Sequence, residues 1–311
     1  MLMIDLGIFY SNLATVGLII LLGFGLGKKK WLSPETNKQL TDILLSIAMP
    51  AALFMAFPRE FHHDKMADFL FGLAGGLAIS VVAIIISKLI FSKNRLKNRA
   101  EAHQFAFIFN NAGFLGYPLV YALFGEKLLM AYCGFSMVFN GLLFSYGVFL
   151  FEKKFSRAIL RKIMLNPNIL AVAFGFLLFA IPVDFEIPSV IENFLKYIGG
   201  IMTPLSLICI GYLLSRAKLG WIWRKKRLFI TCALQLILGP LLALAVVTLL
   251  GLPQNVKVML VLLQSLPTAT TLGLFSEKYG GDTAEASEIV MVSTLMSILT
   301  LPIMAIIISM I

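Results

Sequence analysis

Two stretches of amide, hydroxyl, glycine and proline residues interrupt otherwise apolar segments of this chain. The first is FNNAGFLGYPLV at residues 109–120, and the second is VLLQSLPTATTLGLF at residues 261–275. In lipid, each unpaired backbone group is costly, so irregular backbone is tolerated only where it is buried in protein or lines a polar cavity. Both stretches are therefore candidates for a binding site.

Each stretch predicts a helix that is interrupted near its middle. Pro118 and Pro267 lack an N–H and clash with the carbonyl four residues earlier, which would free the carbonyls of Phe114 and Leu263. Pro118 is placed to begin a second half-helix, since proline is favoured at the first helical position.

Glycines and polar side chains around the two prolines indicate what the breaks would bind. Gly113 and Gly116 would let the chain leave helical dihedrals at low cost. A half-helix N-terminus offers unpaired N–H groups and a partial charge of about +0.5, which favours an anion. The residues expected to bind substrate or line its pocket are Asn110, Asn111, Phe114, Tyr117, Gln264, Thr268, Thr270 and Thr271.

Purely structural interpretations of the same residues remain open. A single proline in a membrane helix often produces only a kink, and intramembrane Asn, Gln and Thr often form hydrogen bonds between helices. Two polar breaks at corresponding positions of the chain favour a binding site over these alternatives.

Neither stretch contains an acidic residue, a basic residue or a histidine. Asp, Glu, Lys, Arg and His are absent from residues 104–123 and 258–276. A cation exchanger would place carboxylates there, because ionisable groups inside membranes mark ion paths. Coupling to H⁺ or Na⁺ stays open, and the candidates for it are Asp42, Glu101, His103 and Glu288.

Each of these acidic and histidine residues can also have a purely structural role. Asp42 is either a support residue for the site or a hydrogen-bonding partner of a neighbouring helix. Glu285 and Glu288 are expected to be solvated at a helix start, where negative charge complements the dipole. His62 and His63 are expected in a solvated loop, so no metal site or cofactor is predicted.

The elements that carry these residues are membrane helices. The 311 residues are 59% hydrophobic and 14% charged, with a mean hydropathy of +0.91, which is typical of a polytopic membrane protein. A helix needs about 20 residues to cross the hydrocarbon core. Ten predicted spans cover 8–26, 36–57, 66–91, 103–124, 128–151, 166–182, 189–214, 226–250, 255–277 and 285–309.

Basic residues in the short loops predict the orientation. Twenty Lys and Arg lie in alternate loops on one side and five on the other. The net charge of +10 could suggest a nucleic-acid partner, but this distribution in short loops between spans indicates a membrane protein instead. The positive-inside rule places the basic loops in the cytoplasm and both termini outside.

Ten spans with both termini on one side suggest two halves of five helices, residues 1–155 and 156–311, of which the second enters the membrane inverted. Span two carries SIAMPAALF and span seven GIMTPLSLI, and spans four and nine are the broken pair. Substrate sites of inverted-repeat transporters lie where discontinuous helices of the two halves meet. The predicted fold is thus all-α, with crossed, broken helices four and nine.

The residues of both breaks resemble signatures of the auxin efflux carrier family. The first matches at Asn111, Leu115, Gly116, Pro118 and Leu119. The second matches at Pro267, Tyr279–Gly280, Ser293 and Leu301–Pro302. The similarity covers essentially the whole chain, although Asn110 precedes Asn111 and Thr268 follows Pro267 where plant members differ.

The resemblance implies a fold shared with the sodium/bile acid symporters and sodium/proton antiporters, commonly as a homodimer. Spans 1, 2, 6 and 7 would form a scaffold, and spans 3–5 and 8–10 a transport domain that moves as a unit. The loop at 152–165 is too short for the long cytoplasmic loop of many plant members, which favours a permease of the bacterial inner membrane.

The predicted function is secondary transport of a small organic anion, a mono- or dicarboxylate resembling malate, malonate or auxin, by elevator-type alternating access. The alternatives are a cation exchanger of the same fold and, from another class, a non-transporting membrane sensor or intramembrane enzyme. The spans contain no evident nucleophile–base pair, so no enzymatic activity is predicted.

Overall fold

In the computed structural model, the described residues are 6–57, 62–91, 100–153, 161, 164–181, 187–216 and 225–309, and their regular structure is helical. The first helices are α1 (Leu6–Lys28), α2 (Pro34–Met55), α3 (His63–Ile90), α4 (Ala100–Ile108), α5 (Ala112–Gly116 continuing into Tyr117–Phe124) and α6 (Leu129–Leu142, Leu143–Gly147 and Val148–Glu152). The remaining ones are α7 (Pro167–Ala180), α8 (Ser189–Gly200), α9 (Met202–Ser215), α10 (Lys226–Leu249), α11 (Gln254–Gln264), α12 (Thr271–Lys278) and α13 (Thr283–Ser309).

The helices confirm an integral membrane protein. Within the described residues, six helical stretches are long and apolar enough to cross a bilayer: Pro34–Met55, His63–Ile90, Ala112–Glu152, Ser189–Ser215, Lys226–Leu249 and Thr283–Met304. Ala14–Lys28 and Pro167–Ala180 are shorter apolar helices. Each of the ten predicted spans contains helix, whereas the ten-span inverted repeat itself remains a prediction.

Much of the predicted basic surface lies outside the described residues. Residues 92–99, 154–160, 162–163 and 217–224 belong to the three loops that carry most of the Lys and Arg used to predict orientation. The placement of the basic loops in the cytoplasm therefore also remains a prediction.

Three prolines are accommodated by π-helical turns. The turns Leu44–Ala48, Ala112–Gly116 and Leu234–Leu238 each end two residues before a proline, at Pro50, Pro118 and Pro240 respectively. In a π turn the carbonyl bonds the N–H five residues later. The residue after the proline can therefore satisfy the carbonyl that the missing proline N–H would leave unpaired.

The chain divides into two compact units, and each draws on both predicted halves. The first comprises Met1–Leu73, Phe114–Met137 and Met164–Arg216. The second comprises Ala74–Gly113, Val138–Ile163 and Ala217–Ile311. The repeat boundaries at 155 and 156 and the assignment of spans to scaffold and transport domain stay predictions.

Within the first unit, α1 and α9 pack against each other at glycines. A Cβ added at Gly23 would collide with the backbone of Ile208, and one added at Gly211 would collide with the carbonyl of Ile20. Small residues allow such close approach, which supplies the van der Waals contact that holds helices together in lipid.

We expect Gly23→Ala and Gly211→Ala each to destabilise the protein by about 1–3 kcal/mol, because the added methyl groups overpack a backbone contact. Thermal unfolding in detergent, followed by tryptophan fluorescence, measures the effect. Gly25→Ala is the matched control on α1, since a Cβ at Gly25 meets open space. Equal melting temperatures for all three variants would contradict this packing.

Candidate functional site

The two helix breaks lie within the second unit and are paired through their backbones. α4 ends at Ile108 and α5 begins at Ala112, whereas α11 ends at Gln264 and α12 begins at Thr271. Between them, Asn110 and Thr268 form an isolated antiparallel bridge.

Two hydrogen bonds flank that bridge. The Asn111 N–H donates to the Pro267 carbonyl at 2.7 Å, and the Ala269 N–H donates to the Phe109 carbonyl at 3.0 Å. Asn110 and Thr268 therefore form a non-hydrogen-bonded antiparallel pair, which is the arrangement that brings opposing side chains closest. The predicted pairing of the two broken segments is present at the level of individual peptide groups.

Side chains satisfy the rest of the span-nine break. Gln235 on α10 donates from Nε2 to the Leu266 carbonyl at 2.6 Å and accepts from the Thr268 hydroxyl at 3.1 Å. The Thr268 N–H donates to the Ser293 hydroxyl on α13 at 3.1 Å. Gln235, Thr268 and Ser293 are almost completely buried, so these bonds are made in a medium of low polarity.

Gln235 is not among the site residues predicted from the sequence, and Ser293 is singled out there only by the family resemblance. The available signal for Gln235 was a lone amide within the apolar run of span eight. A buried amide in an apolar helix has to find a partner, but the sequence does not say which helix supplies it.

Asn110 and Gln264 form a buried amide pair. Asn110 Nδ2 donates to Gln264 Oε1 at 2.9 Å, and among the described residues Asn110 Oδ1 has no hydrogen-bond partner. The two amides can exchange roles by 180° rotations, because each carries both a donor and an acceptor. The exchange would present an Asn110 N–H₂ group where the oxygen now lies.

Further donors stand at the starts of the second half-helices. Asn111 immediately precedes α5, and its side chain retains a small exposed surface. Thr270 is the N-cap residue of α12 but makes no side-chain capping bond, and the Thr271 hydroxyl is buried without a partner among the described residues. The first N–H groups of α12 are thus not capped by their own N-cap side chain.

The break in span four is shorter than its sequence suggests. Helical backbone resumes at Ala112, so the expectation that Pro118 begins the half-helix is wrong: the π turn before it carries the helix through the proline. Gly116 has φ −69° and ψ −49°, and Gly113 lies in the same turn without a positive φ. The glycines therefore do not make the break by leaving helical dihedrals.

Leu263 also differs from expectation. Its carbonyl accepts a hydrogen bond from the Leu266 N–H at 3.3 Å, because the last turn of α11 tightens before Pro267. It is consequently not a free acceptor in the break.

Phe114 and Tyr117 belong to the first unit. Both are buried, and the Tyr117 ring stacks on Tyr121 and meets Tyr132 edge-on. Their predicted role in lining a pocket remains a prediction.

A charge cluster of the second unit contains two of the predicted coupling residues, His103 and Glu288, which are buried, whereas their cationic neighbours Arg227 and Lys225 are partly exposed. His103 is fully buried, with Nδ1 at 2.6 Å from the Thr231 hydroxyl and Nε2 at 2.9 Å from Glu285 Oε1. The same Glu285 oxygen accepts from the Arg227 guanidinium at 2.5 Å. Lys225 binds both carboxylate oxygens of Glu288, at 2.9 and 2.7 Å.

The expectation that Glu285 and Glu288 are solvated is wrong. They are 4% and 7% exposed and are ion-paired, since buried carboxylates need cationic or hydrogen-bonding partners. Glu101 forms an ion pair with Lys153 at 2.9 Å.

Asp42, which belongs to the first unit, lies exposed on α2. Whether it supports the site or bonds a neighbouring helix stays open. Among the described residues, which include His62 and His63, no group of three or more His, Cys, Asp or Glu side chains is arranged to hold a metal ion.

Comparison with known proteins assigns the family. The model of the membrane transport protein family matches residues 8–160 and 153–305. The chain belongs to this family. The resemblance to auxin efflux carriers is thereby confirmed, and both the family and its named relatives are transporters.

Three relatives align with this chain over most of their own lengths. An uncharacterized transporter of Methanocaldococcus jannaschii is 26% identical over 287 residues, which are 87% of this chain and 89% of its own. A Rhizobium meliloti protein named "Putative malonate transporter" is 25% identical over 86% of this chain and 85% of its own. The uncharacterized transporter YfdV of Escherichia coli K12 is 22% identical over 94% and 96%.

We expect Gln235→Leu to destabilise the protein by about 1–3 kcal/mol for each of the two groups it leaves unpaired, the Leu266 carbonyl and the Thr268 hydroxyl. In a double-mutant cycle with Thr268→Val, the two effects should be non-additive by about 1 kcal/mol, because both changes remove the same hydrogen bond between Gln235 and Thr268.

Thermal unfolding of the four proteins in the cycle measures that coupling. Gln254→Leu makes the same exchange at an exposed position on α11 and serves as the control. Additive effects of Gln235→Leu and Thr268→Val would show that the Gln235 bond does not hold the break.

Proposed function

We propose that this transporter moves a small organic anion, a mono- or dicarboxylate, and binds the carboxylate at the paired helix breaks. The observation that carries the proposal is the Asn110–Thr268 bridge. It places the two half-helix starts on opposite sides of one buried backbone bridge, where the polar groups are neutral amides, hydroxyls and peptide groups. Such a site attracts an anion without the desolvation cost of a buried lysine or arginine.

The donors at the breaks suit the two oxygens of a carboxylate. Asn111 lies at the start of α5, and the Thr271 hydroxyl and the first N–H groups of α12 lie at the start of the other half-helix. Rotation of the Asn110 and Gln264 amides would add the Asn110 N–H₂ group. In this proposal Asn110, Asn111 and Thr271 bind the carboxylate, and Thr268 and Gln264 position the binding groups.

Malonate is the first substrate to test. It stands in the name of the Rhizobium meliloti relative, and it is a small dicarboxylate of the kind that the breaks suit. At 25% identity, the name of that relative supports only the class of substrate, small dicarboxylates, and we propose the same class for this chain.

We further propose elevator-type alternating access in an inner membrane, with both termini outside. The breaks are held by α10 and α13 as well as by each other, so the bound anion would travel with these helices as one body. A homodimer is part of the same proposal.

A cation exchanger of the same fold is the second candidate. The observation that favours it is Asn110 Oδ1, a buried carbonyl oxygen without a partner among the described residues, because Na⁺ prefers oxygen ligands. Against it stands the absence of any carboxylate from residues 104–123 and 258–276. Sodium-dependent flux without an organic anion would favour this candidate.

We expect Asn111→Ala to reduce kcat/KM for malonate uptake into proteoliposomes by about tenfold or more, because a hydrogen bond to a charged group contributes about 1.5–3 kcal/mol. Asn111→Asp should abolish uptake, since it places a second negative charge beside the carboxylate. Pro267→Ala should also reduce uptake, because an uninterrupted helix would withdraw the half-helix N–H groups.

Asn193→Ala, on the exposed face of α8, is the matched control and should transport like the wild type. Unchanged uptake by Asn111→Ala and Pro267→Ala, with the wild type active, would show that the breaks are not the anion site.

A further inference from the structure

Three helices of the second unit contribute to two buried polar layers, one above the other. α4 and the residues just after it supply His103 and Asn110, α10 supplies Thr231 and Gln235, and α13 supplies Glu285 and Ser293. The pairs on α10 and α13 are four and eight residues apart, about 6–12 Å of helical rise, and Asn110 lies seven residues after His103, two residues past the end of α4. The layer around His103 is thus joined to the layer around the helix breaks by the same helices.

The geometry of the first layer defines where a proton can bind. A carboxylate only accepts hydrogen bonds, so Nε2 of His103 carries the hydrogen that is donated to Glu285. Nδ1 therefore is the atom that gains or loses a proton. Its partner is the Thr231 hydroxyl, which can donate to a bare Nδ1 and accept from Nδ1–H.

We propose that His103 is a proton-binding site that couples anion transport to protons. The inference rests on the proposed function, since it assigns the coupling ion of the anion site at the helix breaks. Histidine is the side chain that normally changes charge between about pH 5 and 8, and this one is fully buried beside a carboxylate that remains paired with Arg227.

The protonation step is balanced within the cluster. A proton from the bulk solvent binds the lone pair of Nδ1, and no other group changes its protonation. The Thr231 hydroxyl rotates so that its oxygen accepts from Nδ1–H and its hydrogen turns toward the carbonyl four residues earlier in the helix. The cluster of His103, Arg227 and Glu285 passes from a net charge of zero to +1. This charge lies five residues, about 8 Å of helical rise, before the end of α4 at Ile108 and favours an anion at the break that follows.

Among the described residues, further charged groups lie on the elements that carry or adjoin the cluster. Glu101, on α4 itself, is paired with Lys153 after α6, and Lys225 before α10 is paired with Glu288 on α13. The Asp282 carboxylate accepts from the Glu285 N–H, α3 carries Lys88 over the Tyr146 ring, and Glu277 and Lys278 lie exposed on α12. The Thr231 hydroxyl can bond Nδ1 of His103 in both protonation states, because it donates to the bare nitrogen and accepts from the protonated one.

A mechanical link accompanies the electrostatic one. Gln235, which binds both Leu266 and Thr268, lies in the π turn of α10 that begins three residues after Thr231. π turns are single irregular turns inside α-helices and are frequent at functional sites. A change at Thr231 on protonation of His103 is therefore placed to alter the bonds that hold the span-nine break.

The test uses full-length protein in proteoliposomes loaded with a pH-sensitive dye, with radiolabelled malonate as the probe. We expect wild-type malonate uptake to acidify the interior and the Kd for malonate to rise at least about fivefold between about pH 6 and 8. His103→Gln retains a donor toward Glu285 but cannot titrate, so we expect loss of both the acidification per malonate and the pH dependence of Kd. His63→Gln, at the exposed start of α3, should behave like the wild type in both measurements.

Thr231 variants keep the test decisive if His103→Gln does not fold. Thr231→Ser retains the hydroxyl and should keep the proton-to-malonate ratio, whereas Thr231→Val should lower it. Absence of malonate uptake by the wild type would contradict the proposed function together with this inference. Uptake without acidification, or the same ratio in His103→Gln or Thr231→Val as in the wild type, would overturn the proton site alone.

Discussion

Inside a bilayer, a peptide group that leaves a helix finds no water to bond, and the two helix breaks of this transporter satisfy that constraint by bonding to each other. The bridge between Asn110 and Thr268 uses the Asn111 N–H, the Ala269 N–H and two carbonyls that a continuous helix would have paired internally. Other features of the site depend on it, because the bridge fixes which side chains lie opposite each other and where the second half-helices begin.

The bridge is completed by side chains rather than by charge. Gln235 and Ser293 hold the backbone of the span-nine break, and Gln264 pairs with Asn110. Buried amides and hydroxyls can be satisfied fully within the protein and yet exchange donor and acceptor roles by rotation. Such a site can receive a charged ligand without leaving an ionised side chain unpaired when the ligand departs, which is what a transporter requires in both of its states.

The sequence predicts the helical membrane class, the two polar breaks and their relation, because apolar length and clustered Asn, Thr, Gly and Pro are local signals. It misplaces the start of α5, since a π turn before Pro118 keeps the chain helical, and such a turn depends on packing along the whole helix. Gln235 and the burial of Glu285 could not be predicted, because both depend on which helices become neighbours. A single amide or carboxylate in a chain does not reveal the partner that satisfies it.

Binding of an organic anion at the paired breaks can be seen directly in cryo-electron microscopy maps of the protein in lipid nanodiscs with and without saturating malonate. We expect ligand density within hydrogen-bond distance, about 2.7–3.2 Å, of the Asn111 amide and the first N–H groups of α12. Malonate density at another place, or unchanged density at the breaks in protein that transports malonate, would contradict it.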